Sequence, residues 1–309
     1  MKINIKISAE EKELELLERL VTALEKIAGL VAFNKVVDNN TSVNFFSEVQ
    51  KDDANSMESE AINEEIEKRS SIIKDFLEQN GITIKNIPVR NEDGRILDQI
   101  ADFMALRFSS IKRVYELIKK NIQHGSSFSL SLKEYPGDVS DTCQLCTRLY
   151  NLTFLTKYRF LRSPQSMIYA TPNTIGQVHN FFSGTWLERY VRNKIVSMVK
   201  SLGTNIKFSY LFNAEVILPS GHEFEFDILL EVEEEIYWFE VKTSDFHAHI
   251  EKYSKITDIL KLDRTHVFLV LENVPEGNVK FLENTYGVSI IQFEKFADEF
   301  GKCLEKFKN

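Results

Sequence analysis

Long apolar runs are missing from this sequence of 309 residues. None approaches the roughly 20 residues that a membrane-spanning helix needs. The N-terminal stretch MKINIKISAEEKELELLERL also lacks the apolar centre of a secretion signal. Hydrophobic residues make up 43% of the chain and charged residues 27%, which is ordinary for a globular protein. We therefore expect a cytoplasmic protein that does not bind a membrane.

Cysteine is scarce, with three residues in the whole chain. Cys143 and Cys146 form a lone C-x-x-C pair, and Cys303 lies far from them. A structural zinc site uses four ligands, and neither a second cysteine pair nor a histidine pair follows at zinc-finger spacing. The sequence therefore argues against a zinc finger and predicts that the pair lies on a helix as two small apolar side chains.

Basic residues are outnumbered by acidic ones, 38 to 46, so the formal net charge is −8. The deficit is uneven: residues 96–178 contain 10 basic and 6 acidic residues, whereas residues 1–95 contain 13 and 19, and residues 179–309 contain 15 and 21. Nucleic acids are bound by local clusters of lysine and arginine, so the middle segment is where the composition favours such contacts.

Changes of pattern along the chain predict three domains, covering residues 1–95, 96–178 and 179–309. In the first, the strand-like KINIKIS, a helix opened by a capping box of Ser8 and Glu11, a later helix ending near LEQNG and the strand-like ITIKNIPV predict a small α/β domain. It has no glycine-rich loop that could hold a phosphate, so the sequence assigns it no role.

The middle segment predicts a long helix from Ile96, a break at HGSS, and then a strand, a turn, a helix and a hairpin. This order resembles a winged-helix domain, in which a helix enters the major groove and the hairpin contacts the backbone. The basic residues of the helix and hairpin are then the candidate nucleic-acid contacts, namely Arg148, Lys157, Arg159 and Arg162. A packing or dimerisation module is the alternative interpretation.

Residues 179–309 predict the order helix, three strands, helix and strand, followed by a further strand and a terminal helix. A meander of three strands, a crossover helix and a fully apolar strand imply a mixed α/β sheet with helices on both faces.

Charged residues interrupt two of these strands. Asp227 lies in FEFDILLEV, and Glu240 and Lys242 lie in YWFEVKTS. Side chains alternate along a strand, so Glu240 and Lys242 project from the same face. A short turn between the strands allows Asp227 and Glu240 to lie side by side. On the preceding helix, Glu188 is in line with apolar residues and can face the sheet.

An isolated E-x-K triplet is most often a salt bridge on a solvated face. Two adjacent buried carboxylates, in contrast, repel each other unless a cation lies between them. A hard ion such as Mg²⁺ or Mn²⁺ prefers carboxylate and water oxygen, and a neighbouring lysine can hold the attacking water or the charge that develops on a phosphate. The pattern therefore predicts metal-dependent phosphodiester hydrolysis, and a set of buried structural ion pairs is the alternative.

The same residues resemble the PD-(D/E)XK nuclease superfamily, which has the restriction-endonuclease-like fold. The pattern is D-(x)₁₂-E-x-K on adjacent strands, preceded by a helical glutamate. The segments GTWLERYV, FEFDILL, YWFEVKTS and YSKITDILKLDRTHVFLVL are most similar to the nuclease domain joined to CARF sensor domains in CRISPR ancillary nucleases. This resemblance covers residues 180 to about 275.

The resemblance implies a mixed-sheet core of order αβββαβ and a metal-dependent endonuclease that acts on DNA in nucleic-acid defence. It implies that Asp227 and Glu240 bind Mg²⁺ or Mn²⁺ with help from the Val241 carbonyl. It further implies that Lys242 assists the nucleophile and that Glu188 orients a ligand water.

Two departures from the family pattern are visible. Phe226 stands where the eponymous proline would precede the aspartate, and residues 1–95 show none of the nucleotide-sensing loops of a CARF domain. The predicted helix that follows YWFEVKTS adds two candidate phosphate contacts, Lys252 and Lys255.

Two other functions stay open. An RNase could use the same site, because phosphate chemistry hardly distinguishes the two sugars. A non-catalytic nucleic-acid-binding or regulatory protein is the third interpretation. Cutting both strands of a duplex commonly demands two sites, so a homodimer is expected by analogy.

Overall fold

The computed structural model describes residues 70–88, 94–162, 166–243, 246–274 and 279–308. All of them belong to one compact unit. The elements predicted before residue 70 lie outside the described residues, and so do residues 163–165, between the two strands of the predicted hairpin.

The described helices and strands follow one another in an α/β order. The first are α1 (described over 70–79), β1 (Thr83–Asn86), α2 (Gly94–Leu106), α3 (Phe108–Asn121), β2 (Phe128–Ser131), α4 (Val139–Asn151), β3 (Leu155–Leu161) and β4 (Met167–Pro172). They are followed by α5 (Gly176–Asn180), α6 (Trp186–Lys200), β5 (Phe208–Ile217), β6 (Glu223–Val232), β7 (Glu235–Lys242), α7 (His247–Leu260), β8 (Val267–Leu271), α8 (Val279–Tyr286), β9 (Ser289–Gln292) and α9 (Phe296–Leu304).

The larger sheet has six strands in the order β1-β5-β6-β7-β8-β9. Strands β1, β5, β6 and β7 pair antiparallel, whereas β7, β8 and β9 pair parallel. The predicted mixed α/β sheet is therefore confirmed. Strand β1 belongs to the segment that the sequence assigns to the first domain, yet Thr83 pairs with Ile217 of β5 in this sheet.

Two apolar cores cover the faces of this sheet. Helix α6 packs on one face because Leu187, Val191, Ile195 and Val199 recur every fourth residue and are fully buried. Helix α7 packs on the other face with α1, in a core that contains Phe226 and Trp238. The sheet is thus shielded on both sides, and a polar site can form beside Asp227, where the pairing of β6 with β7 ends.

The middle segment has the predicted order of strand, turn, helix and hairpin. Strands β2, β4 and β3 form a separate antiparallel sheet of three strands, and α4 packs against β3. On α4, Cys146 is buried and Cys143 is half-buried. The middle segment shares one core with the larger sheet: the ring of Phe108 lies 5.5 Å from that of Trp186 and 5.1 Å from that of Phe293.

The single long helix expected from Ile96 is wrong. The structure has two helices, α2 and α3, separated at Arg107, whose backbone leaves the helical region with φ −122° and ψ 18°. The break turns Phe108 into the aromatic cluster, and the Arg107 carbonyl accepts hydrogen bonds from the N–H groups of Ser110 and Ile111. Burial of Phe108 against distant residues therefore overrides the local helical pattern. Among the described residues, no helix is long and apolar enough to cross a membrane.

Candidate active site

Strands β6 and β7 run side by side up to the pair Ile228 and Phe239, the last in the ladder. Beyond this pair, backbone N–H groups of one strand donate to side-chain carboxylates of the other strand, and not to its backbone carbonyls. The Val241 N–H donates to Asp227 Oδ2 at 2.8 Å, and the Asp227 N–H donates to Glu240 Oε1 at 3.3 Å. The two carboxylates are therefore held next to each other by the backbone of the opposite strand.

Lys242 lies between these two carboxylates. Its Nζ is 3.0 Å from Asp227 Oδ2 and 3.3 Å from Glu240 Oε2. The acids are almost fully buried, with side-chain exposures of 9% and 4%, whereas the Lys242 side chain is 25% exposed. Solvent therefore reaches the ammonium side of the cluster, where a substrate could approach.

Beside Asp227, the side chains of β5 and β6 switch from one face of the sheet to the other. On one side of it, Ala214 pairs with Phe226 and both side chains face the α7 core; on the other, Phe212 pairs with Ile228 and both face the α6 core. Asn213, between them on β5, has a left-handed backbone with φ 50°. Because the faces switch here, Asp227 is reached by groups from both sides of the sheet.

Glu188 approaches from the α6 side. Burial and the charge of Asp227 raise its pKa to about 7, and a hydrogen bond with Asn213 partly opposes this. The Asn213 amide also donates to Glu225 Oε1 at 3.0 Å. Gly184, one turn earlier, has no side chain that could collide: a Cβ there would lie 3.3 Å from Glu188 Oε1.

Glu240 and Lys242 approach from the α7 side with Tyr253. Burial and then the charge of Asp227 raise the pKa of Glu240 to about 8. Burial lowers the pKa of Lys242, but the charges of Glu240 and Asp227 outweigh it, so the net pKa is raised. Burial and the nearby Glu240 also raise the pKa of Tyr253. The cluster therefore favours a bound positive charge.

A second set of hydrogen bonds holds the end of β7. Trp238 Nε1 donates to Glu240 Oε1 at 3.0 Å, and the Glu272 N–H donates to the Lys242 carbonyl at 3.0 Å. The Glu272 carboxylate accepts a bond of 2.6 Å from the hydroxyl of Tyr115 on α3. The middle segment is thus connected to β7 through Glu272, a buried acid that sequence reasoning did not identify.

The six predicted nucleic-acid contacts lie in different environments. Arg148 is half-buried, with its guanidinium 4.6 Å from the ring of Phe103, and burial lowers its pKa. Lys157 and Arg159 are exposed on β3, and Arg162 is exposed just after it. On α7, Lys252 and Lys255 are exposed, and Lys252 Nζ lies 4.6 Å from the ring of Phe224. None of these six is within the carboxylate cluster described above.

Sequence reasoning also missed Asn213 and Glu225, which extend the site toward β5. The alternation E-F-E-F-D places Glu225 two residues before Asp227 and could have indicated it. No local signal marks Asn213, because its role depends on the left-handed backbone and on the distant Glu188.

A divalent metal such as Mg²⁺ or Mn²⁺ needs several oxygen ligands. Among the described residues, no three His, Cys, Asp or Glu side chains gather closely enough to hold an ion by themselves. Asp227 and Glu240 nevertheless fit one: they are adjacent, buried and mutually repulsive, and the pKa of Glu240 is raised to about 8. A cation with water completing its coordination is what such a pair accommodates.

No known protein family matches the sequence, and no curated protein matches it. Solved structures do resemble the fold. Can2 from Sulfobacillus thermosulfidooxidans, solved in complex with cyclic tetra-adenylate, superposes with a TM-score of 0.51 at 15% identity, over 74% of this chain and 59% of Can2. Protein VC1899 from Vibrio cholerae gives a TM-score of 0.50 at 14% identity, over 76% of this chain and 60% of VC1899. The chain therefore spans about three fifths of each neighbour's length and shares their fold.

Proposed function

We propose that this protein is a divalent-metal-dependent endonuclease that hydrolyses DNA phosphodiester bonds, with residues 179–309 as a PD-(D/E)XK nuclease domain. The observation that carries the proposal is the convergence of Asp227, Glu240 and Lys242, with Nζ to carboxylate distances of 3.0 and 3.3 Å. Catalytic sites are where like charges and burial displace pKa values together. A structural ion pair needs one acid for one lysine, whereas here two acids share it.

The position of each residue in the cluster suggests its role in the reaction. Asp227 and Glu240 would hold Mg²⁺ or Mn²⁺, with the Val241 carbonyl as the additional ligand implied by the family resemblance. A bound ion of this kind lowers the pKa of a water ligand and offsets charge on the phosphate. Lys242, on the solvent-accessible side, neutralises charge that develops on the phosphate oxygens. Glu188, with its raised pKa, can accept or return a proton from water at that edge.

The fold likeness to Can2 supports the same proposal. Can2 itself binds a nucleotide ligand, because it was solved in complex with cyclic tetra-adenylate. The element order helix, three strands, helix and strand at residues 186–271 also agrees with the restriction-endonuclease-like core that the sequence suggests. A role in nucleic-acid defence, a DNA-gripping middle segment of winged-helix type and a homodimer are parts of the same proposal.

The test is cleavage of supercoiled plasmid, linear duplex, single-stranded DNA and RNA in Mg²⁺, Mn²⁺ or EDTA. We expect metal-dependent cleavage of DNA by the wild type and its loss in Asp227→Asn. Glu231→Gln, which changes another buried acid of the same sheet, is the matched control and should cut normally. Cutting in EDTA, or cutting by Asp227→Asn, would contradict the proposal, and cutting of RNA alone would establish the RNase alternative.

A further inference from the structure

Helix α4 is poorly equipped to read a DNA duplex. Its solvent-exposed positions include Ser140, Gln144 and Thr147, which are neutral. Its one basic residue, Arg148, packs against the ring of Phe103 instead of projecting into solvent. Major-groove helices owe much of their affinity to basic side chains near phosphates. A nucleic-acid contact of the middle segment is therefore better sought on another surface, such as the one that carries the exposed Lys157 and Arg159 of β3.

The small sheet offers that surface. One of its faces is covered by the core, with Phe128, Ala170 and Ile168 buried. The opposite face is open, and its residues are set by the register of the strands. One row across the three strands contains Ser129, Tyr169 and Arg159, and the next contains Thr171 and Lys157. Ser127 completes the second row through a hydroxyl contact of 2.8 Å with Thr171.

No strand of the small sheet brings a negative charge to this open face. The three strands, FSLS, LTKYRFL and MIYATP, contain no acidic residue, although the whole chain has a net charge of −8. Tyr169 is 43% exposed, and Arg159 pairs with it directly across the strands. The remaining side chains of the two rows are hydroxyls and one lysine. The face thus combines an accessible aromatic ring, two cations and several hydrogen-bond donors.

We propose that this open face of the small sheet binds single-stranded nucleic acid. A base stacks on the ring of Tyr169, Arg159 and Lys157 bind the flanking phosphates, and the hydroxyls of Ser129 and Thr171 bond to the strand. The proposal rests on the proposed function in so far as the bound strand is the nuclease substrate. Within the winged-helix-type segment of the proposed function, it assigns the contact to the small sheet and not to α4, and the bound form to an unpaired strand.

Single strands fit this surface better than duplexes for a physical reason. Stacking on a side chain needs a base that is free of its neighbours, which an unpaired strand supplies and a duplex does not. Alternate residues of a strand lie about 7 Å apart, so the rows of Arg159 and Lys157 can contact successive parts of one backbone. Neither contact requires a groove of fixed width.

The test measures binding of the full-length protein to a fluorescent oligo(dT) and to a duplex of equal length, by anisotropy in EDTA so that nothing is cut. We expect tighter binding of oligo(dT). Tyr169→Leu should weaken it about tenfold, in line with one lost base stack. Arg159→Gln should reduce the slope of log affinity against log salt by about 0.7, because one phosphate contact of a single strand is lost.

A matched pair of charge substitutions separates the two surfaces. Ser129→Glu places a negative charge on the open sheet face, and Gln144→Glu places one on the exposed side of α4; both positions are exposed, so neither change disturbs the core. We expect Ser129→Glu to weaken oligo(dT) binding at least tenfold and Gln144→Glu to change it less than twofold. Thermal melting of each variant checks that folding is unchanged.

The opposite pattern would overturn the inference: a preference for duplex with loss in Gln144→Glu, or binding that no sheet-face variant affects. Cleavage assays distinguish this failure from failure of the proposed function. If metal-dependent cutting persists while the sheet-face variants bind and cut as the wild type does, the inference is wrong and the nuclease stands. If oligo(dT) binds as described but no metal supports cutting, the surface stands and the nuclease proposal fails.

Discussion

Glu231 and Glu240 lie on neighbouring strands of one sheet, and both are buried, with 0% and 3% exposure. Their partners differ. Glu231 accepts hydrogen bonds from the Ser209 hydroxyl at 3.1 Å and from the Glu234 N–H at 2.8 Å. Glu240 shares its surroundings with a second carboxylate, Asp227, and with the Lys242 ammonium.

Burial alone therefore does not mark a functional acid. Neutral donors around Glu231 satisfy its charge, as expected of a carboxylate that stabilises a turn. The second acid beside Glu240 is a local cost, and burial together with Asp227 raises the pKa of Glu240 to about 8. Buried carboxylates that repel each other are typical of binding and catalytic sites.

The largest expected effect comes from exchanging each acid for its amide. Glu240→Gln should lower the cleavage rate about a thousandfold, since both metal binding and charge placement are lost. It should leave the melting temperature unchanged or higher, because the repulsion with Asp227 is removed. Glu231→Gln should have the opposite pattern. Its cleavage rate should stay within twofold of the wild type, and its free energy of unfolding should fall by about 1–2 kcal/mol because its hydrogen bonds are disturbed. Cleavage kinetics and thermal melting check both, and equal losses of activity would remove the distinction between the two acids.

The next effect concerns the cation between the acids. Lys242→Met should slow cleavage about a hundredfold, and it should destabilise the metal-free protein by about 3–5 kcal/mol because two buried carboxylates lose their counter-charge. Added Mn²⁺ should then restore most of the melting temperature. Lys200→Met, on the exposed end of α6, is the control and should change neither quantity. Full stability of Lys242→Met without metal would show that the acids do not depend on this lysine.

A smaller effect follows from the close approach of Gly184 to Glu188. The Cβ of Gly184→Ala would lie 3.3 Å from Glu188 Oε1, so the carboxylate must shift by a few tenths of an ångström. Cleavage should fall about fivefold, since displacement of an aligned group is costly even at this scale. Gly176→Ala, where nothing lies within 4 Å of the added atom, should cut normally. Equal rates for the two variants would place Glu188 outside the reaction.

The smallest effect tests the connection from the middle segment to β7. Tyr115→Phe removes the hydroxyl that donates to Glu272 at 2.6 Å and should cost about 1–3 kcal/mol of stability, because the Glu272 carboxylate loses a donor. Cleavage should fall only about twofold, since the Glu272 N–H still holds the Lys242 carbonyl. Thermal melting and cleavage rates measure the two effects. A large loss of activity at unchanged stability would give Tyr115 a direct part in the reaction.

Much of the fold and the proximity of the acids follow from the sequence. Alternation in β6 and β7, together with the short turn between Val232 and Glu235, sets the register that pairs Ile228 with Phe239 and brings Asp227 next to Glu240. The alternation of helix and strand likewise indicates the mixed sheet.

Other features depend on contacts between distant residues, which no local pattern shows. The break at Arg107 reflects burial of Phe108 against Trp186 and Phe293. The change of face at Asn213 depends on its left-handed backbone. The half-buried position of Arg148, which the sequence suggests as a nucleic-acid contact, depends on packing against Phe103.

The most direct test is a crystal of the protein soaked in Mn²⁺ and measured for anomalous scattering. Our account predicts a peak within metal-ligand distance of the Asp227 and Glu240 carboxylates, with Lys242 displaced toward solvent but still adjacent. No peak at these residues at saturating Mn²⁺, or a peak bound elsewhere while the Lys242 ammonium stays between the two acids, would contradict it.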